Sequence, residues 1–348
     1  MRAVRQAGFG GREQLSIGQV IRPKAPKGHE VLVRVSAVSV NAGDHHMLTG
    51  RPFLIRVAVG RREVPGMDFA GVIEAVGGDV EHLKPGDKVV GSTDVACGAF
   101  AEFVSLPSSS VVPKPAKVDW EAAAATPTAG MTALQALRKG PALAKGDSVL
   151  VNGASGGVGT FAVQLAHLAG AHVTAVCSTK NVELVRSLGA DVVVDYRKES
   201  VEATAKATGT KFDKIIDCVG RPGWYKLLKP NGSLVAVALP YPDTECIPCA
   251  LCSVMCSPCC CCCLSSRKSH ALLQEVKAAD LEELLGMQSE GKLRAAVGCR
   301  LVGIDQLPDA LAGHSATTGL GHCTGKTVVS FADGSTIAVP ENEDMHRM

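Results

Sequence analysis

Three glycines spaced three apart, Gly153, Gly156 and Gly159, with Gly157 as a fourth, separate a short apolar run from a stretch whose apolar residues recur at helical spacing. A turn built on glycine carries no side chain to hold a bulky group away. The first N–H groups of the helix that follows are unpaired and sit at the positive end of its dipole, so they bind an anion without a lysine. With a strand before the turn and a helix after it, this spacing is suited to cradling a pyrophosphate. Further on, the chain reads Cys177-Ser178-Thr179-Lys180-Asn181, with no acid where a ribose diol would need one. Ser178 can donate to a phosphate oxygen and Lys180 can supply charge, with Tyr196 and Arg197 ending the next strand beside them. These residues favour NADPH over NADH. The alternative is that Lys180 is a solvated residue opening a helix.

The elements that must position these groups follow from periodicity. From Gly146 onward strands are expected at 148–152, 172–177, 192–195, 213–218 and 232–239, and helices at 158–169, 181–188 and 200–208. Alternation of this kind gives a parallel, doubly wound sheet. The preceding part is β-rich, with strands at 31–40, 71–76 and 87–90 separated by glycine turns, which suggests a compact barrel of about 120 residues. The alanine-rich stretch 120–142 bridges the two. Beyond it, a helix is expected at 269–291, a strand at 297–302, a helix at 307–312 and a last strand at 325–331 that returns to the first domain. The division is then 1–125, 126–268 and 269–348.

Composition narrows the function. A net charge of +2 with scattered basic residues gives no electrostatic case for nucleic acid, and 4% aromatic residues leave no stacking platform for single strands. The first residues lack an apolar core of signal-peptide length. Of fourteen cysteines, nine crowd into 246–263 and the remaining five are scattered, which reads as reduced and buried.

The segments SVNAGDHHMLTGRPF (39–53), PGMDFAGVIEAVG (65–77), LKPGDKVVG (83–91), GAFAEFV (98–104), PTAGMTALQAL (127–137), VNGASGGVG (151–159), SLGADVVVDYRKE (187–199) and GHCTGKTVV (321–329) together carry a resemblance across nearly the whole chain. The sequence resembles the zinc-free quinone oxidoreductases of the medium-chain dehydrogenase/reductase superfamily. It is most similar to the plant chloroplast-envelope quinone oxidoreductase homologues and the alkenal/enone reductases. The resemblance implies an α/β protein with a GroES-like β-barrel catalytic domain and a Rossmann domain, the active site lying between them. It implies that Asn41, His46 and Thr132 flank the nicotinamide, with Asp44 beside them. The positions Ser155, Gly156, Gly157, Val158 and Gly159 would hold the pyrophosphate, and Ser178, Lys180 and Tyr196 the adenosine phosphate. The strand ends Cys218, Val219 and Gly220, and Ala238 and Leu239, would line the rest. A homodimer or monomer is expected, in the chloroplast or the cytoplasm.

Zinc-dependent members of the superfamily place a cysteine where Asn41 stands and Gly-His-Glu where Gly66-Met67-Asp68 stands, and neither ligand is present. Without a Lewis acid, conjugated acceptors are favoured over simple ketones because they spread the developing charge. The expected reaction is hydride transfer from NADPH to a small quinone or α,β-unsaturated carbonyl, an enone or enal. Asn41 and Asp44 have a second reading as a loop-capping pair, and His45 reads as a surface residue.

Residues 246–263, CIPCALCSVMCSPCCCCC, depart from the family. Cys246, Cys249, Cys252 and Cys256 have ferredoxin-like spacing, the uncharged run is suited to acylation and peripheral attachment to a membrane, and a low-complexity insert without function is the third reading. A different class of function stays open beside the reductase: an NADPH-binding, membrane-associated accessory protein of weak activity.

Overall fold

A computed structural model of the chain describes residues 1–51, 53–220, 224–237, 268–313 and 324–331. Ala238, Leu239 and the cysteine run 246–263 lie outside these residues.

Two sheets carry the fold. The first contains β3 (Glu30–Val40), β4 (Asp68–Val76), β5 (Lys88–Ser92), β6 (Phe103–Pro107) and β7 (Val111–Pro113), preceded by a two-stranded pair, β1 (Arg2–Gln6) and β2 (Leu15–Gln19). The second contains β8 (Ser148–Asn152), β9 (His172–Cys177), β10 (Val192–Asp195), β11 (Phe212–Asp217), β12 (Leu228–Ala236) and β13 (Lys268–Ala271). The last two strands, β14 (Val297–Val302) and β15 (Lys326–Ser330), go back to the first sheet. Its order is β14-β15-β3-β4-β5-β7, with β6 also on β3. Among the described residues no ladder joins β14 to β7.

The second sheet is parallel throughout, in the order β10-β9-β8-β11-β12-β13. Counted from β8, this is the 3-2-1-4-5-6 order of a dinucleotide fold, and the order reverses between β8 and β11. Ligands of such sheets bind at that reversal, beyond the carboxyl ends of the strands.

Helices α1 (Ala42–Thr49), α2 (Leu54–Ala58), α3 (Trp120–Ala124), α4 (Pro127–Arg138), α5 (Gly157–Leu168), α6 (Val182–Ser187) and α7 (Val201–Thr208) join or cover these strands. Pro127 opens α4, where the missing N–H costs nothing. Alanine at 123–125, 129, 133 and 136 lets α3 and α4 pack closely on the first sheet and α4 on α5. One apolar cluster therefore runs from Ala37, Ala70 and Val90 through these alanines to Val149, Val151 and Phe161.

The stretch 269–291 is not one helix. Residues Lys268–Ala271 form the sixth strand, held by backbone pairing to β12, and the helix is confined to Ala278–Ser289. A parallel neighbour supplies the backbone partners of 268–271, so this part of the stretch is strand. The strand expected at 232–239 starts earlier, at Leu228.

Lys214 on β11 is 2% exposed, and its ammonium donates to the carbonyls of Leu137, Lys139 (3.0 Å) and Pro141 (2.9 Å) at the end of α4. Burial pushes its pKa down to about 8. Lys214→Met would leave those carbonyls without a donor, and each buried orphan costs about 1 kcal/mol or more. The expected outcome is a melting temperature lowered by several degrees, and an unchanged one would show that solvent replaces the ammonium.

Candidate active site

Asn41 follows β3 and caps α1, and its backbone N–H donates to Asp44 Oδ2 at 2.8 Å in a reciprocal capping box. The loop-capping reading of this pair is therefore correct. Its side chain does more. Asn41 Nδ2 donates to Asp68 Oδ2 at 2.9 Å, while Oδ1 accepts from the ammonium of Lys326, which also donates to the Val40 carbonyl at 3.1 Å. An amide held between a cation and a carboxylate has only one stable orientation.

Asp68 opens β4 opposite Ser39. Its carboxylate accepts from Asn41 Nδ2, Ser39 Oγ (3.3 Å), the Thr128 N–H (3.1 Å) and Thr128 Oγ1 (2.7 Å). Thr132 stands one turn further along α4, and its hydroxyl donates to the Thr128 carbonyl at 2.6 Å. Asp44 is fully enclosed and its Oδ1 has no hydrogen-bond partner. Burial, and then the nearby charge of Asp68, push its pKa up to about 7, against the opposing pull of the Asn41 N–H and Lys326. Burial next to a second carboxyl group thus favours a proton on Asp44.

His46 lies on another face of α1 from Asp44, and burial lowers its pKa against the opposing influence of the Arg51 backbone. His45 is not a surface residue. It is half-buried with Nδ1 enclosed, because α1 packs against the body of the first unit, and burial followed by the adjacent His46 lowers its pKa.

The glycine turn joins β8 to α5. Gly153 has φ +73°, and a Cβ there would lie 2.8 Å from Val219 Cγ2. A Cβ on Gly159 would overlap the Gly153 carbonyl oxygen, so this position brings helix and strand together. Gly156 caps α5 in extended conformation without a side chain, and Val158 packs into the core. The turn touches the first sheet directly: the Gly325 N–H donates to the Ser155 carbonyl at 2.7 Å, and a Cβ on Gly157 would lie 2.8 Å from Lys326 Cδ. The stem of Lys326 thus crosses the start of α5 while its head reaches Asn41. Asn181 reinforces the joint, donating from Nδ2 to Ser155 Oγ (2.9 Å) and accepting at Oδ1 from Thr324 Oγ1 (2.8 Å).

Ser178 is 8% exposed and lies within reach of Asn181 Nδ2 (3.4 Å), whereas Lys180 is exposed and Tyr196 is 49% exposed beside Arg197. The nearby carboxylate, Asp195, is committed: it accepts from Thr179 Oγ1 (2.7 Å) and the Arg197 N–H (3.0 Å), which hold its pKa down. After β11, the N–H groups of Val219 and Gly220 donate to Asp217 Oδ1 at 3.0 and 3.1 Å, fixing the loop in which desolvation, and then Asp217, raise the pKa of the half-buried Cys218 thiol. The cradle of unsubstituted glycines at a sheet reversal fits a dinucleotide.

Sequence reasoning passed over Lys326, Asp68, Thr128 and Asn181 as site residues. Each lay inside a quoted segment, but nothing local marks a residue whose partners are far along the chain.

Residues 27–116 match a family model described as an alcohol dehydrogenase GroES-like domain, and residues 157–256 one described as a zinc-binding dehydrogenase. The chain is 36% identical over 333 residues to a chloroplast envelope quinone oxidoreductase homolog of Arabidopsis thaliana, covering 92% of this chain and 95% of that one. It belongs to the quinone oxidoreductase family of the medium-chain dehydrogenase/reductase superfamily. Membership makes it an oxidoreductase that uses a reduced nicotinamide nucleotide. A trans-enoyl reductase of Aspergillus terreus is 42% identical over 200 residues, 56% of each chain. The solved quinone oxidoreductase of Coxiella burnetii superposes with a TM-score of 0.80 at 28% identity, covering 95% of this chain and 99% of that one.

Asp44 gives this family member a pH signature. Its pKa rises from 3.8 in the unfolded chain to about 7 in the folded one, so its stabilising contribution is full below about pH 4 and is lost as pH rises through 7. Asp44→Asn keeps an acceptor for the Asn41 N–H and removes the titration. Its melting temperature should gain on the parent's between pH 4 and 7 and hold a constant offset above. An offset independent of pH would show that Asp44 is ionised throughout.

Proposed function

We propose that the chain is an NADPH-dependent reductase of quinones or α,β-unsaturated carbonyls that works without zinc. The observation that carries this is the physical union of the glycine turn with the Asn41–Asp68–Lys326 group through Ser155, Gly157 and Gly325. Nucleotide cradle and polar group face one another across a single joint.

The pyrophosphate is assigned to Ser155, Gly156, Gly157, Val158 and Gly159, and the adenosine phosphate to Ser178, Lys180 and Tyr196. Among the described residues no uncommitted carboxylate lies beside Ser178, which supports NADPH, since an extra phosphate would meet Lys180 rather than an acid. When bound, the reduced nicotinamide supplies the hydride.

Asn41 is assigned to orient the reacting partners through its amide, which Lys326 and Asp68 hold in place. The donor set does not suit zinc: Asn41 offers an amide already engaged, Met67 a thioether, and Asp68 is saturated with donors. Among the described residues no group of three His, Cys, Asp or Glu side chains is arranged for a metal. A conjugated acceptor needs no Lewis acid, because hydride addition at its β-carbon delocalises the charge and hydrogen bonds suffice to stabilise it. The quinone oxidoreductase and trans-enoyl reductase relatives support both acceptor classes, and the chloroplast relative supports a plastid location.

NADPH oxidation assayed in parallel with a soluble quinone and an enal should give turnover with at least one, and nucleotide binding without turnover would overturn the reading. Lys180→Glu should raise the KM for NADPH by about tenfold or more while altering that for NADH far less, and equal losses would remove Lys180 from the phosphate site. Lys326→Met should lower kcat about tenfold or more, with partial rescue in Lys326→Arg. Unaltered kcat would show that Asn41 needs no clamp.

A further inference from the structure

At the end of α5 away from the glycine turn, a cavity of about 260 Å³ opens between the last turns of α5 and α6 and the turn that follows helix Ala278–Ser289. The twelve residues of α5, about 18 Å of helix, separate it from the nucleotide cradle. His167 lines it from α5, and Lys292 and Arg294 from the turn.

These side chains are placed by fixed partners. Gln164, 6% exposed, donates from Nε2 to the carbonyls of Thr160 (2.8 Å) and Arg294 (3.0 Å), and its Oε1 accepts from the Arg294 N–H (2.9 Å). A buried amide thus grips the backbone of Arg294 on both sides. The guanidinium then reaches over to α6 and donates to Ser187 Oγ at 2.6 Å, while that hydroxyl donates to the Leu184 carbonyl at 2.7 Å. His167 is pressed against Gly189, where φ is +101° and a Cβ would lie 2.6 Å from the imidazole Cγ.

Cations beside helix ends usually bond the last carbonyls. Here the backbone has already done so. The carbonyls of Leu165, Ala166 and His167 accept from the N–H groups of Ala169, Ala171 and Gly170, and those of Leu184, Val185 and Arg186 from Leu188, Ala190 and Gly189. Among the described residues Arg294 has no carboxylate partner, and Ser187 occupies only part of its fork of donors. Lys292 pairs with Glu290 at 2.6 Å, but both side chains are more than half exposed, so water competes for that bond. The cavity therefore gathers donors and positive charge that the chain does not consume.

We propose that this cavity binds a small phosphorylated molecule, its phosphate meeting Arg294, Lys292 and His167, at a site separate from the nucleotide cradle. A guanidinium fork matches two phosphate oxygens at once, and a lysine beside it adds a point charge. Donors converging from α5 on one side and the turn on the other suit a group that accepts all round, whereas a carboxylate accepts along a single edge. The volume admits a phosphate with a few further atoms and excludes a second dinucleotide.

The test is calorimetric titration of the full chain, saturated with NADP⁺ so that the cradle is filled, with inorganic phosphate and with glycerol phosphate near pH 7. Saturable binding of one equivalent is expected, with none from acetate or from NaCl at matched ionic strength. Arg294→Gln with Lys292→Gln should weaken it about tenfold or more, and Lys180→Glu should leave it unchanged. In the parent chain the proton resonances of the His167 ring, assigned by their loss in His167→Gln, should move as phosphate is added, which reads the site without altering Arg294 or Lys292. Heat no greater than that of NaCl, equal binding of acetate, binding kept by the double variant or lost in Lys180→Glu, or a stationary His167 signal would overturn the proposal.

Discussion

A lysine with 3% of its surface exposed must be hydrogen-bonded and charge-balanced, and the surroundings of Lys326 are arranged to do both. Its ammonium bonds the end of β3 and Asn41, its stem covers the start of α5, and the residue before it bonds the glycine turn. Breaking this contact would separate more than one pair of atoms. It would free the Asn41 amide, loosen the contact with Gly157 at the start of α5, and remove a positive charge that acts on Asp44.

The same arrangement explains why the carboxyl groups differ. Asp68 has donors on both oxygens, whereas Asp44 has one oxygen satisfied by a backbone N–H and the other enclosed without a partner. Identical chemistry is tuned apart by the number of donors and the access of water. An asymmetry of this kind lets Asp44 hold a proton near neutrality.

Much of this was legible in the sequence because it is local. The strand, Gly153, Gly156 and Gly159, and the following helix occupy one short stretch, and the β–α alternation after them recurs at regular spacing. The reading that Asn41 and Asp44 cap a loop also rests on neighbours three apart. What escaped is non-local. Lys326 is 285 positions from Asn41, and Thr128 is 60 from Asp68, so no pattern in either neighbourhood announces the contact. Strand Lys268–Ala271 was mistaken for helix for a related reason: an edge strand is defined by the partner beside it, here β12, more than by its own residues.

The place of β15 has a bearing on how the chain assembles. While β4 lines one edge of β3, its other edge is divided: residues 30–34 pair with β6, which follows closely, and 37–40 with β15, with Val40 bonded across 286 positions. As synthesis proceeds from the N-terminus, the second sheet has all six of its strands before β15 emerges, while the older sheet still bears an open rim. Late closure of a contact so distant along the chain costs loop entropy and slows maturation, which leaves the nascent protein exposed to misassociation along that rim until the last strand arrives.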